Sequence, residues 1–352
     1  MTPEHPDGAR SAPRSGFVRA RARHPATPAL LAAGLAAAVA VLSLLGFHLR
    51  GKAPGPVDPV LLVDEDTCYS GYAPHASDRF DHHPPLVHEA EFDADGFRMS
   101  SPAHDPAARC RILCLGDSFT VGLWVKAEEA FPSQLERLLR GRGFSVRVDN
   151  GGMQGHTIAE ERTDALARWA SLHPDLVVVA STGNDLEDLI RLRENGCRLG
   201  GAIPTTFRTE HRHAGSGGMQ ILSARMRAVL NHPDPGDRNA AECTAAWRSY
   251  QDLASDLARG VRGLGGRAVL VTLDPFHCGD ADGSSEIQRS RQALDERLRG
   301  EGALSFDVSS VFREPGTTLA PADGHPSPLG HRRIAEALSE VLVRAGALEA
   351  CR

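Results

Sequence analysis

Four short stretches of the sequence hold the side chains that acyl transfer uses. They are Gly116-Asp117-Ser118-Phe119-Thr120, Asn150-Gly151-Gly152-Met153-Gln154-Gly155, Thr182-Gly183-Asn184-Asp185 and Asp323-Gly324-His325-Pro326. A serine hydroxyl is a poor nucleophile until a base takes its proton. Histidine suits that task near neutral pH, and a carboxylate on its other ring nitrogen fixes the tautomer. Attack on an acyl carbon builds negative charge on the carbonyl oxygen, which backbone N–H groups and side-chain amides can stabilise. Ser118 (nucleophile), His325 (base), Asp323 (orienting carboxylate), Gly152 (backbone N–H) and Asn184 (side-chain amide) supply one candidate for each role. In an extended loop, residues two apart face the same side, so Asp323 can reach His325.

Each stretch alone is an ordinary turn. Their weight comes from the elements that must hold them. The run RILCLGD from Arg111 predicts a buried strand, followed by a helix over 128–140 with Phe131, Leu135, Leu138 and Leu139 on one face. Residues 144–150 predict a second strand, 157–172 a helix, and 175–181 a third strand whose β-branched run suits a parallel sheet covered on both faces. Residues 267–275 and 304–310 complete five strands, and 328–345 read as the last helix. Alternating strands and helices imply a doubly wound α/β fold, a flavodoxin-like three-layer sandwich with a parallel five-stranded sheet. In such sheets ligands bind beyond the carboxyl ends of the strands. The four stretches fall just there, in order.

The set resembles the SGNH (GDSL-like) hydrolases. GDSFTVG, NGGMQG, TGND and DGHPSPLGH resemble that family's four blocks, and DADGFRMSS before the first strand resembles the lead-in of many bacterial members. The likeness spans roughly residues 92–345. It implies a serine esterase or related acyltransferase with Ser118 as nucleophile, His325 as base, Asp323 as its carboxylate, and Gly152 and Asn184 as oxyanion donors. One position departs from the pattern. Many members carry the Asp three residues before the His, where this sequence has Ala322, and Asp323 stands two before.

Other residues have simpler readings. His331 is a second histidine near the last block, expected to pack on the final helix. Asp117 and Asp185 are expected to brace loop backbone, and Trp124 to pack in the core rather than line an acyl pocket. Asp81, His82, His83 and His88 form a polar patch expected to be a solvated loop, with no metal implied. The sequence has no C-x-x-C pair, which argues against structural zinc. It has no G-x-x-x-x-G-K-[ST], and Asn150 occupies the first glycine of the G-x-G-x-x-G pattern, which argues against a nucleotide site. No cofactor is expected. Among the seven cysteines, Cys110 and Cys114 lie roughly 13 Å apart along a strand, too far to bond, and are expected to be buried thiols. Cys197 and Cys243 flank a segment of weak periodicity and are expected to pair.

The amino terminus differs from the rest. Residues 29–47 contain no charge, and a helix of that length spans roughly 28 Å, about the thickness of a bilayer's hydrocarbon core. Five arginines precede it and only Arg50 and Lys52 follow closely, which places the N-terminus in the cytoplasm. No A-x-A pattern stands just after the run to mark a cleaved signal peptide. The expected organisation is a basic cytoplasmic tail (1–28), a transmembrane signal anchor (29–49), a linker and irregular lead-in (50–108), and an extracytoplasmic hydrolase domain (109–349) with an insertion at about 186–240. The chain's net charge is −6, with +5 on residues 1–52 and −11 on the remainder. A main domain so acidic shows no footprint for nucleic acid. The expected partner is an acylated glycan or lipid. The alternatives are an O-acyltransferase of cell-envelope polysaccharide, in which a sugar hydroxyl takes the acyl group, and a catalytically inactive module that only binds.

Overall fold

The computed structural model describes residues 60–352 apart from 84–85, 101–102, 205, 212–238, 275, 277, 279–280 and 322. Ten strands run β1 (Val60–Asp64), β2 (Tyr69–Tyr72), β3 (Ser77–His83), β4 (Leu86–Glu91), β5 (Cys110–Gly116), β6 (Val146–Asn150), β7 (Leu176–Ser181), β8 (Arg208–His211), β9 (Arg267–Thr272) and β10 (Leu304–Asp307). The α-helices are α1 (Ser118–Val121), α2 (Phe131–Gly141), α3 (Ile158–Thr163), α4 (Asp185–Glu194), α5 (Ala240–Gly263), α6 (Ala281–Gly300) and α7 (Pro328–Arg344).

The central sheet is the expected one: five parallel strands in the order β10-β9-β7-β5-β6. Alternate residues of each strand face opposite layers. Leu113, Leu115, Val177, Val179 and Leu270 meet Ile158 of α3 and Tyr250, Leu253 and Leu257 of α5 on one side. Ile112, Cys114, Val178, Ala180 and Val269 meet Phe131, Leu135 and Leu139 of α2 and Ile334 and Leu338 of α7 on the other. Both faces are covered, which explains strands with no polar alternation. β5 carries β6 on one edge and β7 on the other, so the strand order reverses beside it, the place where doubly wound sheets open a crevice.

The lead-in is not irregular. β1 pairs antiparallel with β2 and with β8, giving a three-stranded sheet in the order β2-β1-β8, and β3 and β4 form a hairpin. The expected polar loop at Asp81, His82, His83 and His88 is therefore this hairpin. Pairing of Leu61 with Glu210 across so long a stretch of chain cannot be read from local periodicity. Leu61, Val63, Tyr72, Phe80, Ala90 and Phe92 pack against Val121 at the end of α1, Leu123 and Trp124 just beyond it, and Met153 after β6. The lead-in thus backs the segments that follow β5 and β6. Part of the expected insertion is regular too: α4 runs to Glu194 and β8 joins the lead-in sheet. The helix expected over 157–172 is broken. α3 is capped by Thr157 with Glu160, and a π-turn over Asp164–Arg168 and a short 3₁₀ turn over Ala170–Leu172 follow.

Three disulfides link Cys68–Cys197, Cys110–Cys351 and Cys243–Cys278. This corrects two expectations. Cys197 and Cys243 are not partners, because the lead-in sheet and the loop after β9 bring nearer cysteines to each. Cys110 is bonded rather than a thiol, while Cys114 is free and buried as expected. No described helix is long and apolar enough to cross a membrane, and the expected anchor at 29–49 lies outside the described residues.

Candidate active site

β5 ends at Gly116, Asp117 caps the next turn, and Ser118 opens α1. The Phe119 N–H donates to Asp117 Oδ1 at 2.8 Å, satisfying one of the helix's free amides. At the other end Gly122 takes the left-handed conformation (φ 79°) that suits glycine. The carbonyls left there face Arg98. Its guanidinium is 2% exposed and donates to the oxygens of Val121, Gly122 (2.7 Å) and Val125 (2.7 Å). Burial pushes its pKa down to about 10. The Arg98 N–H donates to the Asn150 carbonyl at 2.9 Å, so one residue ties the helix that Ser118 opens to the end of β6.

The last block comes from the loop before α7. The Leu319 N–H donates to the His325 carbonyl at 2.9 Å, and Ser327 caps α7 by accepting from the Gly330 N–H at 3.2 Å. His325 Nε2 lies 2.8 Å from Ser118 Oγ. His325 Nδ1 is in hydrogen-bond contact with Asp323 Oδ1, which also accepts the His325 N–H at 2.7 Å. With Asp323 accepting at Nδ1, the lone pair of Nε2 faces the serine hydroxyl. The Asp323 side chain is 8% exposed and the imidazole 24%, so the carboxylate is sheltered while the base meets solvent. The Phe119 ring stands 5.3 Å from the imidazole, and Phe312 packs edge-on against Phe119. Three of the expected residues are therefore joined in one hydrogen-bonded chain, the D-x-H spacing included.

Gly152 and Asn184 stand on the loops after the two neighbours of β5. Cys114 pairs with Asn150 on β6, and Gly116 with Ala180 on β7. The Gly152 N–H donates to Asn150 Oδ1 at 3.1 Å. A Cβ at 152 would stand 2.2 Å from the Val121 nitrogen. Glycine is needed there by the close pass of α1, not only by access for a substrate. Asn184 is exposed; its amide donates to Asp188 Oδ2 at 2.6 Å, and its oxygen accepts from Thr182 Oγ1 at 2.8 Å. The second amide hydrogen is not used in those bonds.

His331 and Trp124 pack as their simpler readings say. His331 is fully buried and accepts the Phe131 N–H at 3.2 Å, so it packs beneath α2. Burial, then Arg98 and His325, hold its pKa down to about 3, which makes it a weak proton acceptor. Trp124 is 8% exposed and lies edge-on to Phe80 in the lead-in core. Among the described residues no group of His, Cys, Asp or Glu could hold a metal ion. Arg98, Asn150 and Thr182 were given no role of their own from the sequence. The only signal for Arg98 was its place in DADGFRMSS, a motif whose geometry is long-range.

The sequence matches the GDSL-like Lipase/Acylhydrolase family over residues 114–333. No curated protein matches it. Similar solved structures include a G-D-S-L family lipolytic protein from Desulfitobacterium hafniense DCB-2, 16% identical over 66% of this chain and 99% of that one, with a TM-score of 0.41. The family 3 carbohydrate esterase of Clostridium thermocellum is 16% identical over 68% and 98%, with a TM-score of 0.40. The acetylxylan esterase Axe2 of Geobacillus stearothermophilus is 15% identical over 69% and 94%, with a TM-score of 0.40. The family match takes in the whole hydrogen-bonded chain of Ser118, His325 and Asp323, and by it this protein belongs to the GDSL-like lipase/acylhydrolases, enzymes that hydrolyse ester bonds.

Proposed function

We propose that the protein is a membrane-anchored serine esterase that cleaves acyl esters of an extracytoplasmic glycan or lipid. The observation that carries the mechanism is the continuous contact Ser118 Oγ–His325 Nε2 with Asp323 behind Nδ1. His325 takes the hydroxyl proton as Ser118 Oγ bonds to the acyl carbon. Asp323 stabilises the imidazolium that forms. The negative charge on the acyl oxygen is met by the Asn184 amide and the N–H groups of Gly152 and the start of α1. For Gly152 this means turning its N–H from Asn150 Oδ1 to the substrate oxygen or sharing it between them. The imidazolium then protonates the leaving alcohol, and water, activated by the same histidine, releases the acid and restores Ser118.

The extracytoplasmic setting is supported by the arginine-flanked apolar run at 29–47 and by three disulfides in the enzyme itself, which persist in oxidising compartments. A reporter fused after residue 352 that works only outside the cytoplasm should be active, and activity of a cytoplasm-only reporter there overturns the orientation. The function is tested with the detergent-solubilised full chain on esters of graded chain length, with and without a glycan acceptor. Release of free acid with the acceptor present supports hydrolysis. Acylation of the acceptor in its place makes the enzyme an acyltransferase, and no turnover of any ester leaves a binding module.

A further inference from the structure

The hydroxyl of Thr182 sits at the centre of a buried network between the two sides of the site. Its Oγ1 lies 2.7 Å from Asp117 Oδ2, 2.8 Å from Asn184 Oδ1 and 3.3 Å from Asp185 Oδ1. All three are acceptors when the acids are ionised. A hydroxyl has one proton, so it can donate to only one of them. Two oxygens facing each other at such distances with no proton between them would repel in a buried site. The contacts can be satisfied only if an acid supplies a proton. Turning the Asn184 amide over does not remove the need. Its oxygen would then face Asp188 Oδ2 at 2.6 Å, again two acceptors unless an acid carries the proton. Although burial raises the Asp188 pKa, the Arg191 guanidinium 2.6 Å from its other oxygen opposes protonation there.

We propose that Asp117 is a neutral carboxylic acid in the working enzyme and that its proton orients Asn184 through Thr182. The Asp117 Oδ2–H donates to Thr182 Oγ1, and the Thr182 hydroxyl donates to Asn184 Oδ1. Oδ1 of Asp117 keeps its other duty, accepting the Phe119 N–H at the start of the nucleophile's helix. Asp117 is thus a positioning residue that joins the turn bearing Ser118 to the amide read as an oxyanion donor. The proposal rests on that reading of Asn184.

The surroundings agree. Asp117 is 2% exposed and, among the described residues, makes no ion pair with a lysine or arginine. The groups facing it are His325 from the last loop, Asp185 and Asp188 from α4, and Glu161 from α3. Burial raises its pKa, the bonds from Thr182 and Phe119 and the field of His325 oppose this, and Asp188 adds to the rise. Asp185 Oδ2 and both Glu161 oxygens are buried without a partner, as neutral acids can be. As pH rises through the Asp117 pKa, the carboxylate draws the Thr182 proton to itself. Asn184 then loses its donor, and a negative charge appears beside the developing oxyanion. Turnover therefore falls on the alkaline side, through kcat rather than KM.

The test compares full-length wild type, Asp117→Asn, Asp117→Ala and Ser118→Ala. Asparagine copies the neutral acid: its oxygen accepts from Phe119 and its amide donates to Thr182 at every pH. Asp117→Ala should lose about tenfold or more in kcat with little change in KM. Asp117→Asn should recover most of that loss and abolish the alkaline fall. The infrared difference between wild type and Asp117→Asn should contain the C=O stretch of a buried carboxylic acid. An Asp117→Asn enzyme as impaired as Asp117→Ala, an alkaline limb unchanged by Asp117→Asn, or an infrared difference showing only carboxylate would each overturn the proposal. Near wild-type activity of Ser118→Ala would instead remove the reading of the site on which Asn184's role depends. The infrared result would still decide the Asp117 proton.

Discussion

Gly152 and Val121 meet backbone to backbone: a Cβ on residue 152 would lie 2.2 Å from the Val121 nitrogen and 2.7 Å from the carbonyl carbon of Thr120. No side chain can yield to relieve that overlap, so Gly152→Ala must move either its own loop or α1. Displacements of about 1 Å in an active site typically cost on the order of 100-fold in rate. The variant should fold and lose about that much in kcat, measured with a chromogenic ester. A Gly152→Ala enzyme with wild-type kcat would show that the two backbones separate freely.

The Ser118–His325 contact predicts strong non-additivity. Ser118→Ala and His325→Ala should each abolish nearly all turnover, and the double variant should lose little more. Asp323 touches both Nδ1 and the backbone of His325, so Asp323→Asn should cost roughly 10⁴-fold, by favouring the wrong tautomer. Independent, multiplicative losses at Ser118 and His325 would exclude a shared mechanism, and a larger loss at His331 than at His325 would move the base.

Arg98 is a buried cation whose hydrogen-bonding partners are carbonyl oxygens. Arg98→Met would take the guanidinium from all three oxygens. The Val121 oxygen keeps only Asn150 Nδ2 at 3.5 Å and the Gly122 oxygen only the Val125 N–H at 3.3 Å, and each oxygen left unsatisfied costs about 1–3 kcal/mol where no water reaches it. We expect a stability loss of about 3–5 kcal/mol in urea unfolding, comparable to breaking a buried charged contact. Arg98→Lys should recover part of it, since an ammonium can reach fewer of the three. A loss below about 1 kcal/mol for Arg98→Met would mean that water replaces the guanidinium.

His331 predicts acid sensitivity. Burial holds its pKa to about 3 in the native protein, against 6.5 ordinarily. Between those values the unfolded chain binds a proton that the native one refuses, so stability falls as pH falls, by up to about 1.4 kcal/mol per pH unit. Above that window the histidine is neutral in both states and contributes no pH dependence. His331→Gln keeps an acceptor for the Phe131 N–H and does not titrate. Its unfolding midpoint should decline less steeply than wild type between about pH 6 and 4, and identical slopes would refute the assignment.

The parallel sheet was legible because its strands are buried on both faces, so runs such as Leu176–Ser181 stand out without any partner in view. Ser118, Asp323 and His325 were legible for a related reason: a doubly wound sheet brings all its carboxyl ends to one side, and those residues follow such ends. What escaped notice depends on contacts between distant segments. β1 finds β8 through an antiparallel register that neither segment announces. Cys68 and Cys197 are neighbours only because the lead-in packs beside α4. Thr182 reads as a loop residue until Asp117 and Asn184 are both placed against its hydroxyl.

The Cys110–Cys351 bond joins the first residue of β5 to the short turn after α7, so every residue proposed for catalysis lies within one covalent ring. A ring cut once is still a single molecule. Cleavage at one exposed loop between these cysteines opens the ring but releases no piece, and the fragments stay at high effective concentration for each other. Under reducing conditions the same cut yields two separable chains. Cys351 also lies beyond every described strand and every loop proposed for catalysis, so the ring cannot close until all of them have been synthesised.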